Sequence, residues 1–117
     1  MKILVMDEVK SRKTQIAEAL EKSKHKVTQC SGSNEFITAL EEQSLQCVCL
    51  DYETWHHGRS IYTYFKIAKK MESLPVIFYN APAHFSALVN RNKHEKDQIL
   101  PKPTDPKAIV DAIVLCM

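Results

Sequence analysis

Glycine is almost missing from this chain: its 117 residues include two, Gly32 and Gly58. A P-loop and the G-x-G-x-x-G dinucleotide fingerprint both need glycines at close fixed spacing, so neither can be built. The four cysteines, Cys30, Cys47, Cys49 and Cys116, form no C-x-x-C pair, the usual spacing of thiol metal ligands and redox couples. Cys47 and Cys49 stand two apart on a predicted strand, share one face and read as core thiols. No run approaches the roughly 20 apolar residues that span a bilayer, and the opening MKILVMDEV turns acidic too soon for a secretory signal. A soluble, cytoplasmic protein is the expectation. Charge of either sign is scarce in excess: 16 Lys+Arg face 14 Asp+Glu, with pI near 8.3. That balance, with no recognition-helix motif, gives no reason to expect a direct nucleic-acid or membrane partner.

What the chain does have is alternation. Lys2 to Met6 (KILVM) is an apolar strand ending in acid, at Asp7 and Glu8. From Ser11 to Lys24 the spacing turns helical, with Ile16, Ala19 and Leu20 on one face and Arg12, Lys13, Glu18, Glu21 and Lys22 elsewhere. His25 to Cys30 is a short, more polar strand, suited to a sheet edge. Ser33 is placed to cap a second helix running to about Gln43, with Phe36, Ile37 and Leu40 facing the core. Leu45 to Asp51 (LQCVCLD) is a strand buried on both faces that stops at a carboxylate. The stretch YETWHHG reads as a loop, followed by a helix from about Arg59 to Met71 with Ile61, Phe65, Ala68 and Met71 as its buried stripe. VIFY after Pro75 is a fourth strand, ending at Asn80. A weak helix from about Pro82 to Asn92 carries a basic end, Arg91 to Lys96. Gln98 to Leu100 is a fifth strand. The last helix has Thr104 or Asp105 as its cap and Pro106 in its first turn.

Five strands alternating with five helices assemble most simply as one α/β domain over 1–117, a doubly wound parallel sheet. In the flavodoxin-like order 2-1-3-4-5 the switch point falls between strands one and three, where such sheets hold ligands. Asp7, Glu8 and Asp51 then meet in one pocket. Converging carboxylates repel unless a cation neutralises them. Oxygen-only ligands suit Mg²⁺, which keeps waters and leaves room for a phosphate oxygen. Lys102, at the end of strand five, is a point charge suited to a phosphoryl group, and aspartate can carry one covalently.

At this point the sequence resembles the receiver domain of two-component response regulators. The resemblance covers the whole chain through ILVMDE, CVCLD, PVIFYNA and LPKPTDP in order. It implies that Asp51 is the phosphoacceptor, that Asp7 and Glu8 are the acidic pair of an Mg²⁺ site completed by the backbone carbonyl of Glu53, and that Lys102 is the active-site lysine. It also implies a cis bond between Lys102 and Pro103, within the rule that cis peptides are nearly confined to proline. The implied donor is a sensor histidine kinase or phosphotransfer protein. The implied output is docking of another protein on the fourth helix, fifth strand and fifth helix, with no catalysis beyond the domain's own phosphorylation and dephosphorylation.

Several positions depart from the family pattern. Glu8 stands where an aspartate is usual. Asn80 replaces a hydroxyl residue at the end of strand four, although the small Ala81 after it is kept. Ile99 replaces the aromatic switch residue, Trp55 stands in place of a loop proline, and Gly58 arrives one residue early. A hydrogen bond to a charged group contributes roughly 1.5 to 3 kcal/mol, against about 5.5 kcal/mol for a full two-state switch. Weakening the bond made at position 80 therefore removes much of the drive to the far surface. The rival reading is a phosphorylation-independent pseudo-receiver that binds a partner constitutively. Glu8, Asn80 and Ile99 favour it; Asp51 and Lys102 favour phosphotransfer. Tyr52 and Trp55 either cover the pocket or anchor the loop, and His56 and His57 read as loop histidines that modulate access. A chain of this length is either a stand-alone receiver or one excised from a longer protein.

Overall fold

A computed structural model describes residues 1–57, 74–83 and 96–117. Five strands, β1 (Lys2–Met6), β2 (Lys26–Cys30), β3 (Cys47–Asp51), β4 (Val76–Ala81) and β5 (Gln98–Pro101), form one sheet in the order β2-β1-β3-β4-β5. Every pairing is parallel. The four helices among the described residues are α1 (Lys10–Lys22), α2 (Ser33–Glu42), α3 (Tyr52–His57) and α4 (Pro106–Val114). The sequence-predicted helix at 59–71, the one at 82–92 beyond residue 83, Gly58, and all of the basic stretch 91–96 except Lys96 lie outside the described residues.

Strand periodicity divides the apolar residues between two cores. Leu4, Met6, Val48, Leu50, Val76 and Phe78 point to one face, where Phe36, Ala39 and Leu40 of α2 cover them. Ile3, Val5, Cys47, Cys49, Ile77 and Tyr79 point to the other, against Ile16 and Leu20 of α1 and Ile109, Ala112 and Ile113 of α4. All five residues of β3 are buried, as a central strand covered on both faces must be. All four cysteines are free and buried, and burial pushes the Cys30 thiol up to about 12.

The structure revises several local expectations. Residues 52–57 are helical rather than looped. Trp55 sets its ring edge-on to Phe78, centroids 5.3 Å apart, and it and Tyr52 pack on the α2-side core. These contacts fasten α3 to the sheet, so the two aromatic side chains anchor the segment. The N-cap of α2 is Gly32, with Ser33 already inside the helix; Glu35 reaches back to accept from the Ser31 N–H at 3.1 Å. In α1, Ala17 rather than Ala19 completes the fully buried stripe, and Lys13 is buried with it. The Lys13 ammonium donates to the Ser31 hydroxyl, so its charge is met at the β2–α2 turn rather than by solvent. For α4 the cap is Asp105, whose carboxylate accepts from the Ala108 N–H at 3.0 Å, with Pro106 following it.

Candidate functional site

The parallel register places Met6 of β1 beside Leu50 of β3, so the residues that follow, Asp7 and Asp51, emerge together at the carboxyl edge. Asp7 is fully buried and Asp51 is 1% exposed. Between them lies Arg12, from the first turn of α1. Its Nε donates to Asp7 Oδ2 at 2.6 Å and its Nη2 to Asp7 Oδ1 at 2.8 Å. The same Nη2 stands 3.1 Å from Asp51 Oδ1. This is a two-pronged guanidinium–carboxylate pair extended to a second acid.

Each carboxylate has further donors. Asp7 Oδ1 accepts from the Val9 N–H at 2.9 Å, and Asp7 Oδ2 accepts from the Tyr79 hydroxyl at 2.7 Å. Asp51 Oδ2 accepts from the Thr54 N–H at 3.1 Å and its hydroxyl at 2.9 Å, which caps α3. Thr54 Oγ1 in turn accepts from the Glu8 N–H at 2.9 Å, joining the β1 and β3 turns.

Burial first, and then the charge of Asp7, raise the Asp51 carboxyl above its ordinary value; the Thr54 bonds and Arg12 pull the other way. The Arg12 guanidinium is held further in its charged form, chiefly by its hydrogen bonds to Asp7. Burial and the adjacent Asp7 raise the Tyr79 phenol, which favours its role as hydrogen-bond donor to Asp7.

A cleft of about 530 Å³ opens over this group, lined by Arg12, Asp51, Glu53, Asn80, Lys102 and Pro103. Among the residues singled out in the sequence, Asp51, Glu53, Asn80 and Lys102 thus come together. Asp7 lies beside them through Arg12, while the side chain of Glu8 is exposed and does not line the cleft. The Lys102–Pro103 bond is cis. Asn80 has φ of 53°, in the left-handed region that asparagine tolerates better than most residues. Its Oδ1 accepts from the Thr104 N–H at 2.8 Å, and its own N–H donates to Thr104 Oγ1 at 2.9 Å. The side chain at position 80 therefore ties the end of β4 to the turn before α4. Ala81 is buried, and Ile99 is half-buried against the α2-side core, in register with Phe78. His56 stacks on Tyr52, with ring centroids 5.6 Å apart.

The donor set arranged this way does not fit Mg²⁺. A carboxylate offers about four lone-pair positions, and on Asp7 all four are taken by Val9, Tyr79 and the two bonds from Arg12. Among the described residues no group of three or more His, Cys, Asp or Glu side chains is placed to hold a metal ion. The positive charge between the acids is a guanidinium.

Sequence reasoning missed Arg12, Tyr79 and Thr54. By periodicity Arg12 falls off the apolar face of its helix, and Tyr79 is part of an apolar run. The D-x-x-T spacing of Asp51 and Thr54 is an N-cap signal present in the sequence. Tyr79 had none: its place beside Asp51 is set by the β3–β4 register, which only the assembled sheet shows.

No protein-family model matches the chain, and no curated protein matches it. Solved structures do. The chemotaxis response regulator CheY4 of Vibrio cholerae superposes with a TM-score of 0.81 at 11% identity, covering 99% of this chain and 98% of that one. A response regulator receiver domain protein from Clostridium thermocellum gives 0.78 at 23% identity, covering 98% and 92%. A Burkholderia pseudomallei response regulator, solved with a phosphorylated aspartic acid, a calcium ion and citrate, gives 0.75 at 16%, covering 95% of this chain and 65% of that one. The fold is that of response regulator receiver domains.

Proposed function

We propose that this protein is a signalling receiver that works by docking to another protein, with the Asp51 cleft as its input. The observation that carries this reading is the meeting of Asp51 and Lys102 in one cleft at the carboxyl edge of a receiver-type sheet, beside the buried Asp7. A side chain at that edge is where an open α/β sheet meets its ligand. Among the described residues, two hydrogen bonds reach Asp51, both on Oδ2, and Arg12 Nη2 forms an ion pair with Oδ1 at 3.1 Å. One acceptor position on Oδ1 is left. From a phosphohistidine of a kinase or phosphotransfer protein, that oxygen attacks phosphorus, the P–O bond forms as the P–N bond breaks, and the imidazole, already protonated on its other ring nitrogen, leaves neutral. Lys102, exposed on the rim, offers its ammonium to the transferred oxygens. Output passes through the expected surface of the fourth predicted helix, β5 and the C-terminal helix, α4; on the described part of it Val114, Leu115 and Met117 are exposed apolar residues at the end of α4.

The test is to treat the purified protein with acetyl phosphate and a divalent cation, then with the cation omitted, and to measure intact mass. A gain of one phosphoryl group that Asp51→Asn abolishes and Lys102→Ala reduces is expected.

A second reading, a constitutive pseudo-receiver docking module, is favoured by positions 80 and 99. Asn80 is committed to Thr104 and Ile99 to the core, so neither the hydroxyl nor the aromatic ring that links cleft to surface in the resembled family is present. No adduct with any small phosphodonor, together with partner capture that is equal for the wild type and Asp51→Asn, would select this reading.

A further inference from the structure

We infer that Arg12 is the resident cation of the acidic site: its guanidinium takes the place between Asp7 and Asp51 that a divalent ion would occupy, and so makes the site metal-independent. The inference deepens the receiver reading by naming how the input site is neutralised, and it rests on the described geometry of one side chain. Arg12 makes both prongs of its bond to Asp7 and reaches Asp51 with the same Nη2 that contacts Asp7 Oδ1. A metal bridging the two acids would need lone pairs on Asp7 Oδ1 or Oδ2 and on Asp51 Oδ1. Arg12 hydrogen-bonds one position on each Asp7 oxygen and is ion-paired with Asp51 Oδ1, and the Val9 N–H and the Tyr79 hydroxyl hold the other positions on Asp7.

The sequence explains why an arginine can do this. Arg12 lies five positions after Asp7, and α1 starts at Lys10, so Arg12 stands in the first helical turn beside the end of β1. Its side chain is 32% exposed, with the guanidinium tucked against acids that are 0% and 1% exposed. Unlike a hydrated Mg²⁺, a guanidinium has a fixed planar fork and sheds water cheaply, and like the ion it keeps its charge. It therefore serves two buried carboxylates without an ion drawn from solution.

The experiment uses the full chain and Mg²⁺ or Mn²⁺ alone as the probe. Trp55, the chain's single tryptophan, sits on the helix that Asp51 caps and reports the site by fluorescence. Wild type is expected to show no saturable quenching by Mn²⁺ and no change of melting temperature on adding Mg²⁺. Arg12→Ala should bind either ion at least about tenfold more tightly, a gain of about 1.4 kcal/mol or more, and adding Tyr79→Phe should tighten it further by freeing Asp7 Oδ2. Asp7→Asn in the Arg12→Ala background should erase the gain, placing the ion on the acid pair. Should Arg12→Ala not fold, Arg12→Met keeps the apolar stem, and the wild-type melts stand by themselves. Metal binding by the wild type at millimolar concentration overturns the inference, and so does a folded Arg12 variant that gains no affinity. The receiver reading is judged separately, by the phosphoryl mass gain on Asp51, which none of these outcomes decides.

Discussion

The Tyr79 hydroxyl donates to Asp7 Oδ2 at 2.7 Å, joining residues 72 apart in the chain beneath the input cleft. Tyr79 is fully buried among aliphatic neighbours on the α1 and α4 side of the sheet. Its one polar atom therefore has to find a partner, and the carboxylate at the end of β1 supplies it. Replacing Tyr79 by Phe removes a bond to a charged acceptor but leaves Arg12 on the same oxygen. Urea unfolding should show a loss of about 2 kcal/mol, with the midpoint lowered and the m-value unchanged. A loss under about 0.5 kcal/mol would mean the bond adds nothing to what Arg12 already provides.

Asp51 should make stability depend on pH in the direction opposite to a salt-bridged acid. Its folded-state pKa lies above the ordinary 3.8, because burial and the charge of Asp7 outweigh Thr54 and Arg12. The native state thus keeps this proton to higher pH than the unfolded chain. The stability it contributes is complete below about 3.8 and is lost as pH rises through the folded value. Asp51→Asn, which keeps an oxygen for the Thr54 cap and carries no charge, should match the wild type near pH 4 and exceed it near pH 7 by urea unfolding. An Asn variant weaker than the wild type at neutral pH would show that the pull of Arg12 outweighs burial.

Asn80→Thr restores a hydroxyl at the end of β4, and should nonetheless destabilise. A β-branched residue is strained at the φ of 53° held there, and the acceptor for the Thr104 N–H is lost. About 2 kcal/mol is the expected loss in thermal or urea unfolding. Asn80→Gly separates the causes, since it relieves the backbone but not the hydrogen bond.

Asp105→Ala should cost about 1 kcal/mol, the usual worth of an N-cap, through the lost bond to the Ala108 N–H. Asp105→Asn should recover most of it. Amide exchange confined to the first turn of α4 would locate the effect.

The strands were legible because burial on both faces writes itself as unbroken apolar runs: Lys2–Met6 coincides with β1, and the expected Leu45–Asp51 contains β3, which starts two residues later at Cys47. The C-terminal helix was legible through Asp105 and Pro106, whose chemistry acts within one turn. The stretch from Tyr52 to His57 was not. Its aromatic and β-branched residues are weak helix formers, and what makes it helical is the long-range contact of Trp55 with Phe78 and the capping of Thr54 by Asp51. Lys13 failed for the same kind of reason, since its partner, Ser31, is 18 residues away.

By itself the sequence determined the alternation of strand and helix, and with it the parallel sheet that delivers Asp7, Asp51 and Lys102 to one edge. Periodicity and chain connectivity are local properties that give the strands and a parallel sheet; their order, expected as flavodoxin-like, is what the assembled sheet shows. Only the tertiary structure decided what neutralises the acids. Arg12 and Tyr79 looked like a surface cation and a core ring, and their roles arise because packing α1 and β4 on either side of Asp7 puts a guanidinium and a phenol within 3 Å of one buried carboxylate. A buried charge takes whichever donors the assembled neighbours present, and that choice is made in space rather than along the chain.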